Sequence, residues 1–485
     1  MDKKMTCSPY LPGWEYIADG EPHVFGDRLY VFGSHDQFSG KRFCMKDYVV
    51  WSTPLNDLSA WECAGVSYRK DQDPDNRDGK CELWAPDVAQ GADGRFYLYY
   101  CLANKPKIGV AVSDKPEGPY AFLDHVHDKS GGVLGVRPGD VLPFDPGVLV
   151  DRDGSVHLYE GQAPMFEKQI KKQAKTRQFP WHVELEPDMV TMRTEPTPVI
   201  PSLINSKGTG FEGHEFFEAN SIRRFGDKYY FIYSSVLAHE LCWAISDRPD
   251  GGFRFGGTLV SNGDIGFHGP ASVGFNGKAS LAVRNYIGNN HGSVEQINGR
   301  YYVFYHRQTN RHMYSRQACV APIEMLPDGS FAQAEMTSSG LADSLSGKGE
   351  YEARIACQLY SKDGALFSAH PMIQNQKHPA FTQDEKDGEG AQQYIANLRD
   401  GATAVFKTFD FDGSGTISVT VRGKCDGRFV VRNAEDGAPI TVIKLKPSKT
   451  WTTFSNHFCP LQDRHPLYFT YEGKGYADFL SFEMR

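Results

Sequence analysis

The sequence has no apolar run approaching the roughly 18 residues that a membrane-spanning helix needs. A membrane partner is therefore not expected. It also lacks any long basic run, and its net charge is only mildly negative, -8. Nucleic acid is a poor partner for such a surface. The ten cysteines are scattered, as at Cys44, Cys63, Cys101, Cys242 and Cys357, and no Cys-x-x-Cys pair exists. Free buried thiols in a reducing cytoplasm fit this better than a disulfide framework or a zinc site. The opening Met1–Cys7 carries two lysines but no apolar stretch behind them. No secretory signal is expected, and the expected compartment is the cytoplasm. Helical signal is scarce. Residues 167–175 suggest a short basic helix in a solvated insertion, with Pro180 stopping it soon after.

What is abundant is turn and strand chemistry. The chain has 49 Gly, 28 Pro, 31 Phe and 24 Tyr in 485 residues. That mixture suits β-structure with many tight turns, and the length calls for two or three domains. A turn feeding an aromatic strand recurs. The copies are Gly26-Asp27-Arg28-Leu29-Tyr30, Asp93-Gly94-Arg95-Phe96-Tyr97, Asp153-Gly154-Ser155-Val156-His157, Gly226-Asp227-Lys228-Tyr229-Tyr230 and Asn298-Gly299-Arg300-Tyr301-Tyr302. Each is a hairpin signal. Further strands ending in Pro-containing turns follow several copies, as at Val110–Pro119 and Trp243–Gly252. Strand-rich periods of this length point to a β-propeller, and five copies predict five four-stranded blades. The repeats end near residue 330. A polar stretch follows, Thr337–Gly340 and Ser344–Gly349, which reads as a linker over 331–350. Beyond it, alternating runs such as Ala404–Phe411, Thr416–Val421 and Leu467–Tyr471 predict a β-sandwich over 351–485. The fold class expected is thus all-β, a propeller over 1–330 followed by a sandwich.

A propeller leaves a funnel at one end of its axis, where acids from different blades converge. Asp19, Asp145 and Glu218 sit at comparable points, upstream of the first, third and fourth repeat turns, among apolar or small residues. Acids held there should have perturbed pKa values suited to proton transfer. Taken singly, each has an ordinary structural use. Asp145-Pro146 could do no more than start a turn, as Asp-Pro often does, and Glu218 could pair with Arg223 or Arg224. Their common phase in the repeat favours function.

These residues carry a resemblance. Asp19 with Gly26, Asp27 and Tyr30 in register, Asp145-Pro146 before Asp153-Gly154, Glu218 upstream of Tyr229-Tyr230, Trp84-Ala85-Pro86, and His291-Gly292-Ser293 together resemble the family 43 glycoside hydrolases, over roughly residues 10–325. The family usually has Pro after the first Asp. Here Gly20-Glu21-Pro22 follows, which leaves Glu21 as a rival to Asp19; Glu215 rivals Glu218. The resemblance implies an inverting mechanism, with Asp19 as general base, Glu218 as general acid, and Asp145 keeping Glu218 protonated. The Asp19 and Glu218 carboxyls should then stand about 6.5–9.5 Å apart. Trp84 would offer a face to a sugar or pack between blades. Asp87 and Arg307 are further substrate-binding candidates, although Arg307 could equally form a structural salt bridge. His291 matches a histidine that contacts a calcium in many relatives, so a structural calcium is left open beside a neutral histidine tying strands together. The implied chemistry needs no cofactor.

The C-terminal segment resembles carbohydrate-binding modules of the family 6 type, in Tyr394–Leu398, Phe406–Phe411, Trp451 and Asp478–Phe482. Those positions are mostly core packing, so a buttressing domain that binds no sugar stays open. The expected activity is an exo-acting glycosidase of pentose-containing plant oligosaccharides, of the α-L-arabinofuranosidase or β-xylosidase type. The alternatives are a galactan-directed glycosidase of the same fold and a non-catalytic carbohydrate-binding propeller. The partner expected is an oligosaccharide; oligomeric state is left open.

Overall fold

The computed structural model describes residues 6–170, 178–269, 281–365 and 378–485. Each repeat turn joins two antiparallel strands. Blade one is Ile17–Phe25, Arg28–His35, Tyr48–Pro54 and Glu62–Tyr68, hydrogen-bonded in that order. Blade two is Asp87–Gln90, Phe96–Cys101, Ile108–Ser113 and Ala121–His125. Blade three is Gly147–Val150, Val156–Glu160, Trp181–Leu185 and Thr197–Pro198. Blade four is Phe216–Phe225, Lys228–Ser235, Glu240–Ser246 and Arg254–Ser261. Blade five has three strands among the described residues, Val294–Ile297, Arg300–Thr309 and His312–Ile323, rather than the four expected. The turn between the first two strands of blade one uses Gly26 at φ 63°, a left-handed conformation that glycine adopts without penalty.

The strands are aromatic and β-branched on both faces because both faces are buried. Five apolar clusters fill the five gaps between neighbouring blades. Phe32, Tyr48 and Val50 of blade one pack on Leu98 and Tyr100 of blade two. Tyr99 and Val110 meet Val148 and Leu158. Tyr159 meets Phe216, Ile222 and Phe231. Ile232 and Trp243 meet Val303 and Tyr305. Tyr302 and Phe304 of blade five meet Ile17, Leu29 and Val31 of blade one, which closes the ring. Fully burying such a side chain stabilises by about 1.5–3 kcal/mol. The first and last blades also touch at the axis through a parallel bridge between Gly20 and Gly292. A Cβ at Gly292 would lie 2.0 Å from the Phe304 carbonyl oxygen, so only glycine lets this segment lie against the strand that holds Phe304.

The C-terminal segment is one large curled sheet of ten strands. Two long bent strands, Thr403–Gly423 and Ser448–Lys474, run through it. Its core is aromatic, with Phe406 and Phe482 4.7 Å apart and Phe469 and Phe479 5.5 Å apart.

The stretch 331–350 is not a solvated linker. Phe331 and Met336 are buried in the blade four–five cluster. Ser338 N–H donates to the Lys407 carbonyl at 2.6 Å, and Leu345–Ser346 pairs in parallel with Phe409–Asp410. Of its polar side chains, Ser338 and Ser339 are buried, and Ser338 Oγ accepts the Lys407 N–H at 3.2 Å. The start of the chain joins this layer. Ser8 N–H donates to Ser338 O at 3.0 Å, and Cys7 belongs to the C-terminal core. Of the expected helix at 167–175, Glu167–Ile170 is helical and the rest lies outside the described residues. Seven of the ten thiols are buried and none is paired.

Candidate active site

Asp19, Asp145 and Glu218 are presented by departures from regular strand. The first strand of blade one bulges between Ala18 and Glu21, with Asp19 at φ 54°. The first strand of blade four has register shifts on both sides of Glu218, with Ala219 at φ 68°. Asp145, just before the first strand of blade three, has φ 45°. Left-handed backbone at a non-glycine residue costs on the order of 1–2 kcal/mol. Three such kinks at one end of three inner strands are strain concentrated at a functional site. Asn220 fixes the third kink by donating to the carbonyls of Asp145 at 2.9 Å and Gly161 at 3.0 Å.

The three carboxyls line one cavity of about 300 Å³ together with His291, Gln162 and Arg316. Its walls are Phe43, Trp84, Phe144, Phe217, Met165 and Met313. Every blade contributes. Asp19 Oδ1 accepts from Arg316 Nη1 at 2.7 Å, and Ser34 Oγ donates to its other oxygen. Its own backbone N–H donates to His306 Nδ1 at 3.3 Å, while His306 Nε2 faces the Asn289 carbonyl at 2.7 Å. Those partners define the neutral tautomer protonated on Nε2. Burial acts to raise the Asp19 pKa, but the Arg316 guanidinium foremost overcomes it and brings the carboxyl down to about 2.

Asp145 and Glu218 behave oppositely. Burial first, then the charges of Glu218 and Asp19, push Asp145 well above the usual carboxylate range. Glu218 accepts from Gln162 Nε2 at 2.8 Å, yet burial and Asp19 push it up to about 7. The pair titrates as a unit that retains a proton near neutrality, while Asp19 beside it is ionised. Carboxyls whose environments drive their pKa values apart are suited to acid and base roles.

His291 stands between the acids, with Nδ1 3.7 Å from Asp145 Oδ2 and 3.9 Å from Asp19 Oδ1. Burial holds it neutral by lowering its pKa to about 4. On its other side Nε2 is 3.8 Å from Glu21 Oε1. Glu21 is fully buried beneath the cavity and does not line it. Its other oxygen accepts from Arg223 Nη2 at 2.7 Å and Ser221 Oγ at 3.1 Å. Glu21, His23 and Asp87 bring three ligand atoms within 4.8 Å of one another. However, Arg223 already supplies a buried positive charge to this group, and His23 Nε2 is engaged by Asp87 Oδ1 at 2.7 Å. Calcium seeks a shell of six to eight oxygens. A guanidinium beside Glu21 and a lone imidazole do not assemble that shell, so among the described residues the calcium contact implied for His291 has no matching set of protein donors.

The remaining candidates divide. Trp84 lines the cavity and stands edge-on to Phe144 at 5.0 Å. Glu215 does not line it and is spent on Ser206 Oγ and the Gly213 N–H. Asp87 does not reach it either. Its carboxylate holds His23 and the Val148 N–H at 2.8 Å, bracing blade two to blade three. Arg307 is corrected outright. It is buried at the C-terminal domain, 3.7 Å over the Phe381 ring, and donates to Ala356 O and Gln317 Oε1. The arginine in the cavity is Arg316, which the sequence reading missed along with Gln162. The available signal for Arg316 was a lone charge entering the apolar run Ala318-Cys319-Val320-Ala321.

A closed ring of five blades that gathers three carboxyls into a sugar-sized cup defines a glycoside hydrolase. The comparisons with known proteins agree. The chain matches the glycosyl hydrolases family 43 over residues 22–331 and belongs to that family. It is 47% identical over 485 residues to a xylosidase/arabinosidase of Thermoclostridium stercorarium, covering 99% of each chain. It is 30% identical over 329 residues to a xylosidase/arabinosidase of Bacteroides ovatus, covering 62% of this chain and 89% of the other. The GH43_1 enzyme from Xanthomonas citri, solved with xylose, superposes with TM-score 0.52 at 26% identity, over 70% of this chain and 95% of that one. An arabinoxylan arabinofuranohydrolase from Bacillus subtilis shares the fold over 99% of this chain and 98% of its own, with TM-score 0.51 at 19% identity.

Proposed function

We propose that this glycosidase acts by inversion on the ends of pentose-containing plant oligosaccharides, as an α-L-arabinofuranosidase or β-xylosidase. The observation that carries the reading is the split within one cavity. Asp19 is held ionised by Arg316, and the Asp145–Glu218 pair is pushed up so that it keeps a proton. In this reading Asp19 accepts a proton from water as it attacks the anomeric carbon. Glu218 protonates the departing oxygen, with Gln162 fixing one carboxyl oxygen and leaving the other to deliver. Asp145 accepts the Ala219 N–H at 3.2 Å, which orients it beside Glu218, and the two carboxyls share the proton that the pair retains.

The cavity volume lies at the small end of the range for ligand sites, about 300–1,000 Å³. That supports attack at a chain end. The names of the relatives support pentose units. For the C-terminal domain, the likeness to family 6 modules is read as architecture. Its aromatic pair Tyr394 and Trp451 is covered by the Arg422 guanidinium at 4.7 and 4.3 Å, which leaves those faces little room for a sugar.

The test is a screen of nitrophenyl pentosides and hexosides with the first product anomer followed by NMR. Hydrolysis of a β-xyloside or α-arabinofuranoside with inverted product is expected. A product of retained configuration, or no cleavage of any pentoside, overturns the reading.

A further inference from the structure

The cavity wall made by Phe43 and Cys44 belongs to the 36–47 segment of blade one, which joins strands Arg28–His35 and Tyr48–Pro54 and has no regular structure. Few bonds hold it from within. Lys46 N–H closes its base on the His35 carbonyl, and Gly40 N–H reaches Gln37 O. Yet Arg316 depends on it. Asp36, at its start, accepts from Arg316 Nε at 2.9 Å and Nη2 at 3.0 Å. Phe43 lies 4.6 Å under the guanidinium, and Cys44 Sγ is 3.4 Å from Nη2. The same Asp36 accepts the Cys44 N–H at 2.9 Å. Arg316 Nη1 then points at Asp19.

The C-terminal domain grips this segment at one point. Asp387 Oδ1 accepts the Phe38 N–H at 2.9 Å, and Oδ2 pairs with Lys46 Nζ at 2.7 Å. One carboxylate thus ties the two flanks of the loop together. The turn that carries it is itself held. Gln383 Nε2 bonds the carbonyls of Glu385 and Lys386, and Gln383 Oε1 accepts from Tyr16 OH at 2.6 Å. Tyr16 in turn packs on Phe38, with ring centres 5.6 Å apart. Adhesion between domains would be served by an ion pair anywhere on their border. An anchor on both flanks of the one loop that cradles Arg316 does something narrower.

We propose that Asp387 is a positioning residue for the glycosidase reaction, clamping the 36–47 loop so that Phe43 and Asp36 hold Arg316 on Asp19. The inference rests on the proposed role of Asp19. It gives the C-terminal domain a part in turnover that does not require it to bind sugar.

The test compares D387A, D387N and K46M in the full chain, with kcat and KM on a pentoside and amide exchange of the 36–47 peptide. D387A is expected to lower kcat about tenfold with KM changed less than about threefold, since small misplacements of a reacting group are costly. Its 36–47 amides should exchange about tenfold faster. D387N keeps an acceptor for the Phe38 N–H, so it should return kcat to within about threefold of wild type. If D387A does not fold, K46M carries the test, with a smaller change in the same two readouts. Unchanged exchange and kcat in D387A, or in K46M in its place, overturn the clamp. So does a D387N protein as impaired as D387A. Wild-type inactivity on every pentoside counts against the proposed activity instead, and is told apart because exchange reads the loop without substrate.

Discussion

Arg316 Nη1 donates to Asp19 Oδ1 at 2.7 Å while Nε and Nη2 of the same guanidinium are held by Asp36. Both residues are buried, so the geometry uses the planar fork of arginine, which a lysine cannot reproduce. R316K is expected to lower kcat/KM by about 100-fold, roughly 2.7 kcal/mol of transition-state stabilisation. R316M should also move the acid limb of the pH profile. Asp19 faces His306, His291 and Ser34 as well as the Asp145–Glu218 pair, but Arg316 is the largest of the groups lowering its pKa from the ordinary value to about 2. A base must be ionised, so activity is lost as pH falls through that pKa. Without Arg316 the acid limb should rise by about one unit or more. An unmoved limb in R316M counts against Asp19 as the base.

Glu218 sets the other limb. An acid must be protonated, and burial holds Glu218 up to about 7. Activity should therefore fall as pH rises through about 7. E218Q should lose about 1,000-fold or more in kcat on substrates with poor leaving groups and bind xylose within about threefold of wild type by calorimetry. The stability sign follows from the same shift. A carboxyl raised above its unfolded value of about 4.3 favours the fold below that value, and the contribution is lost as pH rises through about 7. E218Q should thus gain melting temperature relative to wild type at pH 8 more than at pH 5. Equal differences at the two pH values would contradict a raised Glu218.

The propeller and its acids were legible because both depend on period and phase. The turn before each aromatic strand recurs, and Asp19, Asp145 and Glu218 precede three of those turns. Bulges at Asp19 and Glu218 leave no local signature, so the depth at which each acid sits was not legible, and Glu21 stayed a rival to Asp19. The choice between Arg307 and Arg316 shows a different limit. In the pairing of the last two strands Arg307 lies opposite Gln317, and Arg316 opposite Gln308. Neighbours along a strand face opposite sides, so one residue of register separates the cavity from the domain border. Composition also misread 331–350, because buried Ser338 and Ser339 are satisfied by backbone groups that are distant in sequence.

Arg223 beneath the cavity makes a chelator experiment informative. Its Nη2 bonds Glu21 and the Pro22 carbonyl, and Nη1 bonds the Ile222 carbonyl at 2.8 Å. With that guanidinium in place the melting temperature should change by less than about 1 °C on treatment with EDTA or added calcium, since ligand binding stabilises only in proportion to occupancy. R223M removes the donor that Glu21 accepts from; burial already holds Glu21 up to about 8, so the loss is that of a buried hydrogen bond, about 1–3 kcal/mol. A chelator-induced drop of several degrees in the wild type would show that an ion is bound after all.

Arg307 and Arg316 should separate cleanly by what their loss does. Arg307 is 2% exposed. It stacks on Phe381 of the C-terminal domain and donates to Ala356 O at 3.1 Å and Gln317 Oε1 at 2.9 Å. R307A removes a buried stack and the donor to three acceptors, Gln393 Oε1 at 3.4 Å being the third; a buried acceptor left unsatisfied costs about 1–3 kcal/mol. A loss on the order of 3 kcal/mol is expected in the unfolding of the domain border, read by denaturant titration. The folded fraction of R307A should keep KM and kcat within about twofold of wild type, because no atom of Arg307 lines the cavity. R316K should show the reverse pattern, with turnover lost and unfolding changed less. If R307A instead raises KM several-fold in fully folded protein, Arg307 contacts the sugar and its assignment to the domain border is incomplete.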